Sequence, residues 1–312
     1  MNLSKGFLKE FKNNLPLFIM LLPGVIILLI NNYLPMFGVV IAFKRYRFFG
    51  DFFNSLIQSE FVGFKNFEFF FKSPAAFEIT RNTILYNLAF VILDLIIPVM
   101  IAIALNELRS KHLGKTYQSF MFLPYFLSWI IVSYLAFSFL SVDKGFINRS
   151  ILAPMGIQPL EWYFETTYWP FILTFFHMWK YTGYNIVVYL ASISGIDQEY
   201  YEAAAIDSAS KWQQIRYITL PMLQPIMIIM TLLAVGRIFN ADFGLFFNVP
   251  KNSGQLYPVT NVIDTYVYNA LMNTNNMGMT AATGLYQAVV GCITVFFANF
   301  IVRKIDKDKA LF

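Results

Sequence analysis

The sequence predicts an all-α integral membrane protein, and three observations support this fold class. Of the 312 residues, 57% are hydrophobic and only 13% are charged, whereas soluble domains average about half apolar and about a quarter charged residues. Six apolar stretches each reach the roughly 20 residues that a helix needs to cross a bilayer. No low-complexity linker or internal repeat divides the chain, so residues 1–312 are predicted to form one transmembrane domain.

The six predicted transmembrane helices differ in length. They cover residues 15–43, 84–105, 118–140, 170–193, 217–240 and 281–302. The first follows a lysine-bearing segment, as in a signal peptide, but its apolar run is too long and lacks a small-residue cleavage site, so we expect a retained helix. Because it exceeds the thickness of a bilayer core, it should tilt or break, and Asn31, Asn32 and Pro35 mark the expected position.

The distribution of Lys and Arg predicts the orientation of these helices. The two tails and the connections 106–117 and 194–216 carry more Lys and Arg than the other three connections, which are about twice as long. This asymmetry predicts cytoplasmic termini, although Lys44, Arg45 and Arg47 directly after the first span oppose it. The same rule explains most of the net charge of +5, so no nucleic-acid partner is predicted.

Three stretches lie outside the predicted spans on the opposite side. The aromatic, amphiphilic stretch 61–72 is predicted to lie along the membrane surface. The polar stretch 141–169 is predicted to form a small external cap. The Asn-rich stretch 241–280 is a candidate for a scoop-like loop.

The sequence contains no pattern for catalysis, metal binding or ATP hydrolysis. Its one cysteine, Cys292, cannot form an internal disulfide, and His112 and His177 are isolated in the sequence. The one Gly-Lys-Thr sequence, at 114–116, has Arg109 where a phosphate-binding loop needs glycine. We therefore predict no catalytic residue, no metal and no cofactor in this chain.

The connection between the fourth and fifth spans, residues 195–221, has a distinctive composition. Asp197 is a candidate N-cap, and the stretch 200–205 is a strong helix-forming run. Asp207 and Ser208 then indicate a break, after which a second helix is predicted from about Lys211 toward the fifth span.

This connection carries a spaced motif. It reads Glu202-Ala203-Ala204, three residues, Ser208, nine residues, and then Ile218-Thr219-Leu220-Pro221. The motif resembles the EAA signature of binding-protein-dependent ABC permeases, which is Glu-Ala-Ala, three residues, Gly, nine residues and Ile-x-Leu-Pro. The resemblance implies the ABC importer type I permease fold, with a cytoplasmic coupling helix that docks on an ATP-binding subunit. The residues implied in docking are Glu202, Ala203, Ala204, Ala205, Asp207, Ser208, Leu220 and Pro221.

Ser208 is the one departure from that signature, which has glycine there. If the backbone at this position is left-handed, Ser208 carries a strain of about 1 kcal/mol. If the turn is helical instead, serine is harmless. The sequence leaves both alternatives open.

Other segments resemble the polysaccharide-type branch of the maltose-like sugar permeases. They are residues 32–44, 61–67 and 81–83. The resemblance implies import of oligosaccharides or polysaccharide fragments by alternating access across the bacterial cytoplasmic membrane. The implied partners are a second homologous permease, typically a different chain, two ATP-binding subunits that hold ATP and Mg, and an extracytoplasmic solute-binding protein.

Polar residues inside the predicted spans are candidates for the substrate pathway, because ionisable groups in a bilayer are costly. Asp94 and Lys180 lie at similar predicted depth, and they either pair or line the passage. Aromatic and amide side chains nearby suit sugar rings and hydroxyls. These candidates are Trp129, Trp179, Tyr181, Tyr184 and Asn185, with Gln224 and Gln287 as weaker ones. Arg237 is predicted near the outer end of span five, placed to reach the interface.

Two alternative functions remain open from the residues alone. The motif also fits an ABC importer for a non-sugar solute. An ion-coupled carrier or a membrane-embedded enzyme acting alone would use Asp94 and Lys180 for proton coupling. The sequence names neither the sugar, its linkage or chain length, nor the partner permease.

Overall fold

The computed structural model describes residues 14–305, which are mainly helical. One antiparallel pair of two-residue strands occurs within that range, β1 (Lys44–Arg45) and β2 (Glu60–Phe61), with Lys44 opposite Phe61. The described chain divides into two compact units. The first comprises residues 14–69 and 273–285, and the second comprises 70–272 and 286–305. The prediction of a single domain stays a prediction.

Fourteen α-helices occur between residues 14 and 305. They are α1 (Leu15–Leu28), α2 (Phe52–Gln58), α3 (Glu68–Lys72), α4 (Pro74–Asn106), α5 (Lys111–Phe122), α6 (Trp129–Leu140), α7 (Trp169–Ser194), α8 (Gln198–Ile206), α9 (Lys211–Gln214), α10 (Leu220–Val235), α11 (Phe243–Asn248), α12 (Tyr257–Thr260), α13 (Ile263–Thr274) and α14 (Met277–Ile305). Short 3₁₀ segments cover Leu34–Phe43, Gly63–Phe67, Leu123–Phe126, Ala153–Met155, Thr166–Tyr168 and Gly254–Leu256. Wider π turns cover Leu29–Tyr33, Ile147–Leu152 and Ile215–Thr219.

Several of these helices are long and apolar enough to cross a membrane. Four continuous segments meet this condition, Leu15–Phe43, Pro74–Asn106, Lys211–Val235 and Met277–Lys304, and a bent pair of helices adds a fifth. Helix α7 has 26 residues and is therefore about 39 Å long, but it is more polar than the others. The described chain is thus a multi-pass membrane protein, and the count of six spans stays a prediction.

The first long segment changes its hydrogen bonding where a break or tilt is expected. Helix α1 gives way to the π turn Leu29–Tyr33, and the 3₁₀ segment Leu34–Phe43 follows without leaving the helical path. The Asn32 amide donates to the carbonyl of Leu28 at 3.3 Å. Asn31, Asn32 and Pro35 therefore lie where the helix changes its winding.

The third predicted span, 118–140, is not one helix, and this part of the prediction is wrong. Helix α5 ends at Phe122, and α6 starts at Trp129 after a bend of 100°. Pro124 lies in the turn between them and has no N–H to continue a helical ladder, while the Ser128 side chain caps α6 by accepting from the N–H of Ile131. Trp129 therefore begins a helix instead of lying at the middle of one.

Two other predicted spans lie in helices that begin earlier in the sequence. Helix α4 begins ten residues before the predicted 84, with Pro74 in its first turn. The long helical segment of the predicted span 217–240 runs from Lys211 to Val235, and Ser210 caps its start. The bounds of both spans stay predictions.

The core of the second unit forms around α7. One buried cluster joins α4, α6, α7 and the segment that follows α10, and it includes Tyr86, Phe90, Val132, Trp169, Phe176, Leu245, Phe246, Leu256 and Val262. A second cluster, including Val99, Ile186, Tyr189 and Leu223, lies toward the loop that follows α7. At Gly183 the backbone of α7 approaches the Met121 carbonyl so closely that a Cβ atom would collide with it.

The segment 241–263 is part of this core and is not a freely projecting loop. In α11, Leu245 and Phe246 are almost fully buried, and so are Leu256 and Val262 farther along. From α4, the Asn82 amide donates to the carbonyls of Pro258 and Asn261 at 3.1 and 3.0 Å. The first half of the predicted scoop-like stretch therefore folds back and is held against α4.

The first unit exposes most of its apolar side chains. In the long segment Leu15–Phe43 only Ala42 is buried. The Asn66 amide donates to the carbonyls of Ala42 and Lys44 at 2.9 and 3.0 Å, which ties residues 63–67 to the end of this segment. The placement of 61–72 along a membrane surface stays a prediction.

Candidate functional site

Helix α8 is the exposed helix of the predicted docking loop. Asp197 caps it, because its Oδ1 accepts a hydrogen bond from the N–H of Glu199 at 3.1 Å, as the sequence predicts. No residue of α8 is buried, and Ile206 at its end is 85% exposed. All side chains of α8 are therefore at least partly accessible to another protein.

Ser208 ends α8 in a left-handed conformation, with φ of 58°. The N–H of Ala209 donates to the carbonyl of Ala204 at 2.9 Å, and the N–H of Ser208 donates to that of Ala205 at 3.1 Å. These two bonds define the Schellman motif, whose left-handed position usually holds glycine. Of the two alternatives for Ser208, the strained one is therefore correct.

Polar contacts link α8 and α9 to two long helices. The hydroxyls of Tyr201 and Thr219 are 2.9 Å apart, and Thr219 is buried next to the start of α10. The Lys211 Nζ lies 3.0 Å from the Glu107 carboxylate at the end of α4. Helix α9 continues through the π turn Ile215–Thr219 into α10. The docking loop is thus connected to both α4 and α10.

The motif residues fall into two groups in this arrangement. Glu202, Ala203, Ala204 and Ala205 form the body of α8, and Asp207 and Ser208 form its end. Leu220 and Pro221 begin α10 directly after the π turn Ile215–Thr219, and Pro221 has no N–H to donate to that turn. The two ends of the motif are therefore an exposed helix, α8, and the start of a long apolar helix, α10.

Asp94 is paired with His177. The His177 Nε2 and Asp94 Oδ2 atoms are 2.9 Å apart, and the imidazole stacks on Phe90 with ring centroids 3.7 Å apart. The other atoms, Asp94 Oδ1 and His177 Nδ1, are buried without a partner between residues 14 and 305. His177 has no other histidine or cysteine near it in the sequence, so this pair was not predicted. A sequence signal was available, because His177 is three residues before Lys180 and the two therefore lie on the same face of α7. A second polar residue beside Lys180 made His177 a candidate partner of Asp94.

Lys180 does not pair with Asp94, so the hypothesis of an Asp94–Lys180 pair is wrong. The Lys180 ammonium donates to backbone carbonyls at the bend between α5 and α6, those of Tyr125 at 3.0 Å, Pro124 and Leu127. Its side chain is buried, and the Nζ atom lies 5.2 Å from the centre of the Trp129 ring. Lys180 therefore adds a donor at three carbonyls of the broken helix, of which that of Pro124 also accepts from the N–H of Leu127 at 3.1 Å.

Asp242 is a central polar residue that the sequence analysis missed. Its Oδ2 accepts hydrogen bonds from Trp129 Nε1 at 3.0 Å and from the Tyr181 hydroxyl at 2.6 Å. Its Oδ1 accepts from the N–H of Leu245 at 3.2 Å and so caps α11. One carboxylate thus joins α6, α7 and α11, and Trp129 and Tyr181 are engaged in this junction.

Gln287 also holds the chain that follows α10. Its amide donates to the carbonyl of Phe239 at 2.6 Å and to the Asp264 carboxylate at 3.3 Å. The N–H of Ala241 donates to the same carboxylate at 2.8 Å. Burial raises the pKa of Asp264 above its usual value, against the lowering effect of these hydrogen bonds. Gln287 is therefore a packing and tethering residue.

A cavity of about 310 Å³, lined by both apolar and polar side chains, lies between α4, α7 and α10. Its polar lining residues are Asp94, Tyr184, Asn185, Tyr189, Thr231 and Arg237. The structure thus brings Asp94, Tyr184 and Asn185 together among the predicted pathway residues. Of the remaining candidates, Trp179 packs edge-on against Phe176 with ring centroids 6.2 Å apart, and Gln224 borders a separate apolar groove.

Comparisons with known proteins agree with this geometry. The family described as the inner membrane component of binding-protein-dependent transport systems matches residues 75–307. Protein LplB of Bacillus subtilis is 33% identical over 97% of this chain and 93% of its own length. The polygalacturonan/rhamnogalacturonan transport system permease protein YteP of the same species is 31% identical, over 94% of this chain and 89% of its own.

Solved structures are similar over nearly the whole chain. A chain of a bacterial ABC transporter involved in the import of the acidic polysaccharide alginate superposes with a TM-score of 0.85 at 30% identity, covering 96% of this chain and 99% of that one. A chain of the alginate transporter in complex with a pentasaccharide-bound periplasmic protein superposes with a TM-score of 0.84 at 30% identity, covering 96% and 98%.

The fold and the displayed loop define the class as a multi-pass membrane permease of the ABC importer type I fold. The chain belongs to the family of inner membrane components of binding-protein-dependent transport systems. The predicted fold and the predicted family are confirmed. Family membership favours a transporter subunit over a carrier or enzyme that acts alone.

The left-handed Ser208 gives a first test. Replacing Ser208 by glycine should remove a strain of about 1 kcal/mol, so hydrogen exchange at the Ala209 amide should slow by about fivefold. Ser208→Ala is the matched control, because it removes the hydroxyl but keeps the strain, and exchange should stay as in the unchanged chain. Equal exchange in the glycine and alanine variants would contradict the strain.

The separation of Asp94 from Lys180 gives a second test. Because the two side chains have different partners, Asp94→Asn and Lys180→Met should change the free energy of unfolding additively, within about 0.5 kcal/mol. Asp94→Asn and His177→Gln should be non-additive by more than that. Thermal unfolding of the purified chain in detergent measures both cycles. A large coupling in the first cycle with none in the second would reverse the assignment.

Proposed function

We propose that this chain forms the passage of an ATP-driven importer that moves oligosaccharides or polysaccharide fragments into the cell by alternating access. The observation that carries the proposal is the connection between a displayed docking helix and the helices around a polar cavity. Helix α8 is joined to α10 through Tyr201 and Thr219, and α9 is joined to α4 through Lys211 and Glu107. Helices α4 and α10 in turn form two walls of the cavity.

The energy for transport comes from separate subunits in this proposal. Two ATP-binding subunits, with ATP and Mg, close on each other, and α8 of this chain follows the subunit on which it docks. Its exposed Ile206 and small alanines allow close contact with a groove on that subunit. The connected ends of α4 and α10 then move, and the cavity changes the side of the membrane to which it opens.

The proposed partners also include a second permease and a solute-binding protein. The two permeases are homologous but different chains, and the solute-binding protein delivers the sugar from outside, with the termini of this chain in the cytoplasm. The support is similarity to an alginate transporter whose structure contains a pentasaccharide-bound periplasmic protein.

A carbohydrate substrate agrees with the lining of the cavity. Tyr184 offers an aromatic face, and Asn185 and Thr231 offer an amide and a hydroxyl. These groups suit the apolar faces and the hydroxyls of sugar rings. Relatives are named for polygalacturonan/rhamnogalacturonan, lactose and arabinooligosaccharide transport, which supports the same class of substrate.

The docking role of α8 is tested by changing its exposed apolar side chain. Ile206→Asp should lower the amount of ATPase subunit that co-purifies with the tagged chain by at least about tenfold, because a charge would be buried at the contact. Helix α8 should still form, since Ile206 is 85% exposed within the chain.

The matched control is Ile157→Asp, which places the same charge at a position 45% exposed in the stretch 141–169. This variant should recover as much ATPase subunit as the unchanged chain, and both variants should insert into membranes equally. Undiminished recovery with Ile206→Asp would contradict docking through this face of α8.

A further inference from the structure

The cavity between α4, α7 and α10 contains a cation without a protein partner. Arg237 follows the end of α10 by two residues, is exposed and borders the cavity. Its guanidinium has no hydrogen bond or ion pair with any residue between 14 and 305. An arginine at the end of a membrane-spanning helix can extend along apolar surface and keep its guanidinium accessible to a polar ligand.

The other charged groups near the cavity are already engaged. The Asp94 carboxylate is paired through its Oδ2 with His177 at 2.9 Å, and as an anion it does not itself attract a negatively charged ligand. Lys180 is directed away toward the carbonyls at the bend, with Tyr125 at 3.0 Å. Arg237 is therefore the ionised group on the cavity wall that remains available to a ligand, and an anionic group would complement it.

The neutral groups of the lining restrict what kind of anion fits. The Tyr184 ring is held in place by stacking on Tyr125, with ring centroids 5.0 Å apart and an interplanar angle of 16°. The Asn185 amide on α7 and the Thr231 hydroxyl on α10 also line the cavity. A ligand with a ring face, hydroxyls and one carboxylate uses all of these groups, whereas a small inorganic anion uses only the cation.

We propose that Arg237 binds the carboxylate of a uronic-acid residue and makes the passage selective for acidic over neutral oligosaccharides. The planar guanidinium donates two parallel hydrogen bonds to a carboxylate. A neutral sugar has a hydroxymethyl group at that carbon and leaves the guanidinium without an anionic partner. This inference rests on the proposed carbohydrate function and adds the charge of the substrate to it.

The test measures sugar binding to the assembled transporter in nanodiscs. The solute-binding protein is left out, so that any preference between the sugars comes from the permease. The probes are α-1,4-linked trigalacturonate and neutral α-1,4-linked galactotriose, titrated by saturation-transfer NMR. Arg237→Gln should weaken trigalacturonate binding about 10- to 100-fold, the range for a lost charged hydrogen-bonded pair. Galactotriose binding should not change. The affinity of Arg237→Lys for trigalacturonate should lie between those of the unchanged chain and Arg237→Gln, since lysine keeps the charge but cannot donate two parallel hydrogen bonds.

The matched control is Arg303→Gln, which removes an exposed arginine from the last turn of α14 and should leave trigalacturonate binding unchanged. Equal binding of both sugars, insensitive to Arg237→Gln, would overturn the acidic selectivity and leave carbohydrate import standing. Binding of neither sugar would overturn this inference together with the carbohydrate proposal. Loss of co-purified anionic phospholipid in Arg237→Gln, with trigalacturonate binding intact, would show that Arg237 contacts lipid and would also overturn it.

Discussion

The second unit depends on satisfying backbone carbonyls where a predicted membrane span is broken. In hydrocarbon no water is available to such groups, so an interrupted helix is tolerated only where protein supplies the missing donors. Here the Lys180 ammonium donates to the carbonyls of Pro124, Tyr125 and Leu127. The bend of 100° after Pro124 separates α5 from α6, and Trp129 at the start of α6 donates to Asp242. Lys180 thus links α7 to this bend by hydrogen bonds, in addition to the apolar contacts of α7 in the core.

The same principle explains how the segment after α10 is held against long helices. Its carbonyls accept from side-chain amides, that of Asn82 at Pro258 and that of Asn87 at Ile238. Within the segment, the N–H of Ala241 donates to the Asp264 carboxylate. These contacts tie the segment to α4. The cavity wall and the predicted docking loop are thus both joined to the core, through α4 and α10.

Local features of the site were predictable, and features made by distant residues were not. Asp197 and Ser208 act on their own helix, so capping preference and motif spacing sufficed to predict the start and end of α8. Asp242 lies 61 residues from Tyr181 and 113 from Trp129, and His177 lies 83 from Asp94. No periodicity encodes such pairs, and Asp242 fell in a stretch predicted to be external. The bend was missed because apolar residues continue on both sides of Pro124.

The central claim is that α8 lies in the cytoplasm and is covered by an ATP-hydrolysing subunit. With Cys292 replaced by serine, a single cysteine at Glu202 can be labelled with a membrane-impermeant maleimide. The account predicts no labelling in intact cells, labelling in inverted vesicles, and protection in inverted vesicles when the ATPase subunits are bound. Labelling of intact cells, or full labelling of inverted vesicles with the ATPase subunits present, would contradict it.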